Sequence, residues 1–380
     1  MCSTDPHTFK NNFKDTEEVG DLEFSARLTA LKEELISLIV SNGIRESRSD
    51  PSVYTGLSGI ALLLKKLGKE DDAIELLEKA KMLSSKKPRV TFLCGAAGPL
   101  ALLAVLRNSE EDLEQLLGIE QYLTSLDMPD ELLYGRIGYL YALLYVENNF
   151  RGHEKLENTI RKVVNIVIKS GQEGSRRWKS RSPLMYEWHE KKYFGAAHGL
   201  VGILFILLQA GEKYLSKEVL MNIVKPSLDY LKDKMFKSGN LPSSHNNEND
   251  KLIHWCHGAP GSIHLFLKAY QIFQSQEYLE IAIKSGEVIW QRGLLKKGYG
   301  LCHGIAGNAY GFLALYQTTN DIRHLRRAKG FCQFIFDYGN HDCRNPDRPY
   351  SLFEGMSGTV YFLDDMEKGT KEAKFPGFYV

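Results

Sequence analysis

The stretch Gly199-Leu-Val-Gly202-Ile-Leu-Phe-Ile-Leu-Leu208 sets a Gly-x-x-Gly turn directly before an uninterrupted apolar run. The same pattern, two glycines followed by an apolar tail, occurs seven times along the 380 residues. The seven copies begin at Gly56, Gly95, Gly135, Gly199, Gly258, Gly304 and Gly355. Successive copies start 39 to 64 residues apart, which suits one helical hairpin with its connections. A single copy would say little, but seven copies with matching tails predict a repeated helical unit.

The segments between these copies have a different character, because they mix charged and apolar residues at helical spacing. These segments are Glu70–Leu83, Ser109–Leu126, Lys155–Ser170, Lys217–Lys234, Glu277–Leu295 and Ile322–Tyr338. Amphipathic helices with one solvent-exposed face therefore alternate with helices that are apolar on every side. We predict an all-α fold, an α/α toroid or double-layered barrel of seven helical hairpins. Each inner helix follows a Gly-x-x-Gly turn, and the irregular intervals argue against an open solenoid.

The chain shows no break in composition that would separate two large domains. We assign residues 1–50 to an N-terminal segment with the first outer helix, and residues 51–380 to a single toroid domain. The longest apolar stretch, Phe194 to Gly211, reaches the length of a transmembrane helix, but it carries His198 and four glycines. We therefore predict a buried helix and no transmembrane segment.

The bulk composition limits the cellular context. The net charge of +1 gives no reason to expect nucleic acid as a partner. Six scattered cysteines do not form the framework of a small secreted scaffold, which favours a reducing compartment. The N-terminus lacks an apolar signal core, and residue 2 is Cys2 where N-myristoylation requires glycine. We predict a cytoplasmic protein that is neither secreted nor myristoylated, and association with a membrane surface stays open.

The residue immediately before each first glycine points to a functional site. In chain order these residues are Thr55, Cys94, Tyr134, His198, His257, His303 and Glu354. A toroid brings all of these positions to one pole of the ring. Titratable side chains are concentrated in repeats four to seven, and a pocket with a few convergent polar groups is the natural site hypothesis.

Two triplets, Cys256-His257-Gly258 and Cys302-His303-Gly304, suggest a metal centre at that pole. Paired sulfur and imidazole ligands suit Zn²⁺. We predict one Zn²⁺ per chain held by Cys256, Cys302 and His303, because three protein ligands leave a coordination position for a substrate. A closed four-ligand site that includes His257 is one alternative, and a pair of buried free cysteines is another.

The remaining polar residues near these motifs suggest how a substrate thiol would be handled. A zinc-bound thiol would ionise at neutral pH, and His198 and His257 are then the candidate acid/base groups. Other candidates are cations or a carboxylate in or beside the turns, each of which also suits a solvated surface or a structural contact. Lys297 and Arg344 are the candidates for binding substrate carboxylates. Lys296, Arg136 and Glu354 are weaker candidates for contact with the substrate.

Longer motifs bear a resemblance to a known family. His254-Trp-Cys-His-Gly-Ala-Pro-Gly261, Lys296-Lys-Gly-Tyr-Gly-Leu-Cys-His-Gly304 and Leu133-Tyr-Gly-Arg-Ile-Gly-Tyr139 resemble the eukaryotic lanthionine synthetase C-like proteins. The resemblance implies a seven-hairpin toroid with one catalytic zinc. It implies that glutathione is the thiol substrate and is added to dehydroalanine or dehydrobutyrine residues of formerly phosphorylated proteins.

For individual residues, the resemblance implies zinc ligands at Cys256, Cys302 and His303. It also implies an acid/base histidine at His198 and glutathione contacts at Lys297 and Arg344.

Two departures from the bacterial cyclases of this family bear on the reaction. Leu252 stands where those enzymes carry arginine, and His257 stands where they carry tyrosine. These changes disfavour cyclisation of a leader-bearing peptide and favour glutathione as the thiol. The main alternative is a non-catalytic adaptor or redox-signalling protein that binds zinc and glutathione. Pro346 and Pro349 would suit an SH3-type partner, although a plain loop role is favoured.

Overall fold

The computed structural model describes residues 6–16, 21–84, 89–125 and 127–380, so Cys2 and the expectation that rests on it lie outside the described residues. Within these described ranges, fourteen helices of nine residues or longer build the fold. They are α1 Asp21–Leu38, α2 Leu57–Lys66, α3 Glu70–Ser84, α4 Ala97–Arg107, α5 Glu110–Gly118, α6 Arg136–Glu147, α7 Glu154–Trp178, α8 Leu200–Ala210, α9 Lys225–Lys234, α10 Ala259–Phe273, α11 Gln276–Arg292, α12 Ile305–Thr319, α13 Ile322–Ile335 and α14 Met356–Lys368.

Short helical pieces extend some of these elements: a π-helical turn Ile39–Gly43 and Ile44–Glu46 after α1, a 3₁₀ turn Ile119–Tyr122 after α5, and Lys217–Val219 with a π-helical turn Leu220–Val224 before α9.

The even-numbered helices form an inner ring, and the odd-numbered helices form an outer layer around it. Each inner helix packs against the next, and α14 packs against α2, so the ring is closed. The inner helices are buried on nearly all sides; in α8 every residue except Gln209 is buried. The predicted all-α double-layered toroid is confirmed. Helix α1 packs on α14 in the outer layer, while the division of the chain at residue 51 stays a prediction.

The apolar stretch that begins at Phe194 is an irregular turn followed by α8, which has 11 residues. In the part of the chain that the structure describes, no helix combines the length and the apolar character needed to cross a bilayer.

The glycines allow each turn to fold tightly onto the start of its own inner helix. A Cβ on Gly202 would lie 2.0 Å from the carbonyl oxygen of Ala196, and a Cβ on Gly307 would lie 1.8 Å from that of Leu301. In each pair the carbonyl belongs to the residue six positions earlier. Gly199 has an extended φ of −126°, so close approach is what requires glycine there. At Gly258 the backbone φ of 120° also requires glycine, because residues with a side chain rarely adopt this conformation.

Backbone hydrogen bonds join the seven turns to one another around the pole. In every turn, one residue stands two positions before the first glycine of the Gly-x-x-Gly pattern. Most of these hydrogen bonds join that residue of one turn to the same residue of the next turn. They run from the N–H of Tyr54 to the C=O of Leu93 (2.9 Å), Phe92 to Gly138 (3.0 Å), Leu132 to Ala197 (3.2 Å), Cys256 to Cys302 (3.2 Å), Cys302 to Phe353 (2.8 Å) and Phe353 to Tyr54 (3.1 Å). Between Ala197 and Cys256 the link is close packing, because a Cβ on Gly195 would lie 2.0 Å from the Cys256 oxygen. We call this arrangement the turn circle.

An aromatic plug, formed by Phe375, Phe378 and Tyr379, fills the interior of the inner ring. Phe378 packs on Phe205 of α8, with ring centroids 4.2 Å apart. The Tyr379 hydroxyl lies 3.0 Å from Nδ1 of His264 on α10. Phe375 and Phe378 therefore belong to the hydrophobic core, and the partly buried Tyr379 packs against it.

The plug predicts a pH dependence of stability. Burial lowers the pKa of His264 from 6.5 to about 3. As the pH falls below 6.5 the unfolded chain takes up a proton, whereas the folded protein does so only near pH 3. The free energy of unfolding is therefore highest above pH 6.5 and falls on acidification, by at most about 1.4 kcal/mol per pH unit for this residue.

Denaturant unfolding between neutral pH and about pH 5 measures this dependence. His264→Asn keeps a hydrogen-bonding group near Tyr379 but does not titrate, so its stability should fall less steeply with acid. Some slope should remain, because burial also lowers the pKa of His324 to about 4. An unchanged slope in the variant would contradict the assignment.

Candidate functional site

Cys256, Cys302 and His303 come together at the pole where the inner helices begin. One ligand atom from each residue lies within 4.8 Å of the other two. Both cysteines are buried, and His303 is half-buried. Cys256 and Cys302 are 46 residues apart in the sequence, but they are neighbours in the turn circle. The structure thus brings the three predicted metal ligands into one cluster.

The chemistry of this cluster fits a soft divalent cation. Burial and the neighbouring Cys256 sulfur raise the pKa of Cys302 well above its ordinary value, since two buried sulfurs cannot both ionise cheaply side by side. Burial also opposes charge on His303, but the contact with Cys302 outweighs it and raises the pKa of His303. Two sulfurs and one imidazole are ligands that zinc prefers, and a bound cation would remove the repulsion between the thiolates.

Tyr54 is a site residue that the sequence analysis did not assign. Its hydroxyl is within hydrogen-bonding reach of Cys302, and burial together with the two cysteine sulfurs raises the pKa of Tyr54 well above its ordinary value. Its ring stacks on Phe353, with centroids 4.7 Å apart. The sequence did contain a signal, because Tyr54 occupies in the first repeat the position that Cys256 and Cys302 occupy in the fifth and sixth.

His198 is held by a buried carboxylate that the sequence analysis also missed. Nδ1 of His198 lies 2.6 Å from Oε2 of Glu131. The carboxylate of Glu131 also accepts hydrogen bonds from the N–H groups of Leu133 and Tyr134. Because Glu131 engages Nδ1, it fixes the imidazole orientation and leaves Nε2 for a reacting group. Glu131 lies four residues before Gly135, whereas the pattern of polar residues described above concerns the position immediately before each first glycine.

His257 lies beside both His198 and Tyr193, and its ring centre is 6.3 Å from that of His198. The Tyr193 ring is 5.9 Å from that of His198 and 5.7 Å from that of His257. Burial, with smaller contributions from neighbouring cations, lowers the pKa of His257 to about 4, so the imidazole is neutral at physiological pH. Its Nδ1 atom is buried and has no hydrogen-bond partner among the described residues. An uncharged imidazole with a spare nitrogen suits a polar contact to a ligand.

The predicted glutathione contacts Lys297 and Arg344 are exposed and belong to adjoining segments. The Arg344 N–H donates to the C=O of Lys296 at 2.7 Å. Lys297 lies close enough to His254 that its charge, after burial, helps to lower the pKa of that imidazole to about 3. The Lys296 ammonium instead sits 5.5 Å from the ring centre of Phe9 in the N-terminal segment. The binding roles of these three cations stay predictions.

The other two weaker candidates differ in their surroundings. The Glu354 carboxylate is near enough to His303 to favour its charged form. Arg136 is buried, and its guanidinium donates to Asp130 and to the carbonyl oxygens of Leu123, Ser125 and Met128. These contacts tie down the loop before α6, and any contact of Arg136 with glutathione stays a prediction.

Comparison with known proteins identifies the relatives of this arrangement. The family described as lanthionine synthetase C-like protein matches residues 47–380. The chain belongs to this family. It is 45% identical over 375 residues to the zebrafish (Danio rerio) protein named glutathione S-transferase LANCL1, an alignment that covers 94% of this chain and 92% of the relative. It is 34% identical over 393 residues to LanC-like protein GCL1 of Arabidopsis thaliana, covering 94% and 89%.

Among solved structures, nisin cyclase has a similar fold. The two chains superimpose with a TM-score of 0.67 at 20% sequence identity, covering 90% of this chain and 94% of the cyclase. At that identity the likeness supports the toroid fold and nothing further about the reaction. Membership of the family was predicted from the motifs at the turns and is confirmed.

The close packing at Gly195 yields a prediction about how the Cys256 turn is held. Gly195→Ala would bring a Cβ to 2.0 Å from the Cys256 oxygen, so the turn must shift. We expect the free energy of unfolding to fall by about 1–3 kcal/mol, as for other overpacked positions. Thermal unfolding compares this variant with Gly118→Ala, where nothing lies within 4 Å and a helix former should be neutral or stabilising. Equal stability of Gly195→Ala and the parent protein would contradict the role of this contact.

Proposed function

We propose that this protein adds glutathione to dehydroalanine and dehydrobutyrine residues of proteins in a zinc-dependent reaction, as a glutathione transferase that forms a thioether. The observation that carries the proposal is the convergence of Cys256, Cys302 and His303 at the pole that also holds the His198–Glu131 pair. The relative named glutathione S-transferase LANCL1 supports glutathione as the thiol.

The metal site would activate the thiol of glutathione. Cys256, Cys302 and His303 would hold Zn²⁺, and bound zinc supplies a Lewis acid that lets a substrate thiol ionise at neutral pH. Lys297 and Arg344 would bind the carboxylates of glutathione from the rim of the pole. Tyr54 would donate a hydrogen bond to the Cys302 sulfur and so fix that ligand in one orientation.

The reaction is the addition of S–H across a carbon–carbon double bond. The glutathione thiol gives up its proton, and the sulfur forms a new bond to the β-carbon of the dehydroamino acid. The π electrons move to the α-carbon and the adjoining carbonyl as an enolate. Protonation of the α-carbon completes the product, so one glutathione is added and nothing leaves.

His198 would provide that proton. Glu131 accepts the hydrogen bond of Nδ1 and stabilises the imidazolium, so Nε2 can donate a proton and recover it later. His257 is the second candidate. Burial keeps its imidazole neutral near pH 7, so we assign it a hydrogen-bonding role toward the substrate, and His198 the proton transfer.

The metal requirement can be tested on the purified protein. We expect about one equivalent of zinc in the parent protein by elemental analysis, and loss of most zinc in Cys302→Ala and Cys256→Ala. Under reducing, zinc-replete conditions, a dehydroalanine peptide incubated with glutathione should gain the mass of one glutathione. Cys332→Ala is the matched control, because Cys332 is buried on α13 and lies outside the ligand cluster.

Zinc binding without any mass gain would favour the non-catalytic adaptor. Full activity in a zinc-free variant would exclude the proposed mechanism.

The pair of His198 and Glu131 gives a second prediction. His198→Asn should lower kcat by about 10²–10⁴-fold, the usual contribution of a positioned acid/base group. Glu131→Gln should lower kcat by a smaller factor, because the amide still orients the ring but no longer stabilises its charge. Initial rates at saturating glutathione measure both effects, with thermal unfolding and zinc content as checks that the fold and the metal site survive. If the kcat of His198→Asn lies within twofold of the parent value, another group must donate the proton.

A further inference from the structure

A groove runs outward from His198, on the side away from the predicted glutathione contacts. The Tyr134 ring stacks on His198, with centroids 6.1 Å apart and planes 13° from parallel. Trp188 lies 6.2 Å beyond Tyr134, and the Arg89 guanidinium lies 5.3 Å from the Tyr134 ring centre. Arg89, Tyr134, Trp188 and His189 are among the residues that line an open cavity of about 520 Å³. The groove therefore begins at the Tyr134 ring, next to the proposed catalytic imidazole of His198, and opens to the protein surface.

The outer wall of the groove is built by a strained turn. Trp188 and Lys191 exchange backbone hydrogen bonds of 2.9 and 3.1 Å, and the two residues between them both have positive φ angles. His189 has φ 48° and Glu190 has φ 60°, values that side-chain-bearing residues seldom adopt. Such conformations cost free energy and tend to be kept where they place a functional side chain. Here the turn holds Trp188 against Tyr134.

The groove offers two kinds of contact that suit a polypeptide, and its size is suitable as well. Tyr134 and Trp188 provide rigid, amphipathic rings, which give large contact area at a low cost in conformational entropy. Arg89 is exposed and makes no ion pair among the described residues, so its guanidinium is available to carbonyl oxygens or acidic side chains of a ligand. The volume falls in the range of about 300–1,000 Å³ typical of ligand pockets.

The two sides of the pole are thus different. Lys297 and Arg344 lie on segments next to Cys302 and His303, where a small anionic thiol would be held. The groove lies beyond His198, on the loops before α4, α6 and α8. His198 stands between them, which is where a proton donor to the acceptor carbon must be.

We propose that this groove binds the polypeptide segment that carries the dehydroamino acid, so that the enzyme selects dehydroalanine within a chain over small dehydroalanine derivatives. The inference rests on the proposed function and adds its acceptor site. Trp188 and Arg89 would determine specificity for the flanking residues, and neither is among the residues proposed for the metal or for proton transfer.

The test compares two acceptors with the full-length, zinc-loaded protein. One is a short peptide with a central dehydroalanine, and the other is N-acetyl-dehydroalanine methylamide, which has no flanking residues. In the parent protein kcat/KM should favour the peptide. Trp188→Ala and Arg89→Ala should each reduce that preference by about tenfold, equivalent to about 1.4 kcal/mol. Arg89 is exposed, so its replacement does not disturb the core.

Trp178→Ala is the matched control, because Trp178 is also a partly exposed tryptophan but lies at the end of α7 outside the groove. It should keep the peptide preference of the parent protein. Fluorescence polarisation with a labelled peptide that carries alanine in place of dehydroalanine measures binding without turnover. Weaker binding to Trp188→Ala and Arg89→Ala would support the groove even if no addition occurred, and in that case only the proposed function would fail. An unchanged peptide preference and unchanged binding in both variants would overturn the groove.

Discussion

The turn circle is the constraint on which the rest of the structure depends. Each turn is joined to its neighbours by backbone hydrogen bonds or, between the turns of Ala197 and Cys256, by close packing. Buried backbone groups must be paired because leaving one unsatisfied costs about 1–3 kcal/mol. A turn therefore cannot move without breaking contacts on two sides. The paired glycines make the circle possible, since each removes a side chain where the backbone passes within about 2 Å of the missing Cβ. Close packing of the turns thus comes first, and the convergence of Cys256 with Cys302 follows from it.

This rigidity has a chemical consequence at the pole. The site gathers two buried sulfurs and a buried carboxylate, Glu131, which would repel one another or be poorly solvated in a pliable protein. The fold compensates by fixed contacts: Tyr54 with Cys302, and the N–H groups of the turn before α6 with Glu131. Groups that are already oriented need no reorganisation when charge develops during a reaction, which is the main source of catalytic electrostatics in enzymes.

The sequence contained most of the fold but only part of the site. The seven glycine turns and the alternation of apolar and amphipathic helices predicted the toroid because both signals are local and periodic. The convergence of Cys256 with Cys302 was predictable for the same reason, since both cysteines stand at one position of the repeat. Glu131 was missed because it acts from four residues before its glycine, and its partner His198 lies 67 residues away. The aromatic plug was missed because nothing in its sequence repeats, and only the closed ring creates the space that it fills.

The plug also links the hydrophobic core to the candidate site. Trp255, which directly precedes Cys256, is fully buried and stacks on Phe375 of the plug, 5.0 Å between ring centres. Phe353, whose C=O accepts the N–H of Cys302, lies 5.4 Å from the same Trp255 ring. The core beneath the pole and the cluster of Cys256, Cys302 and His303 are therefore formed by adjacent residues of the same turns. Packing inside the ring thus supports the two turns that carry Cys256 and Cys302, because Phe375 contacts Trp255 and Trp255 contacts Phe353.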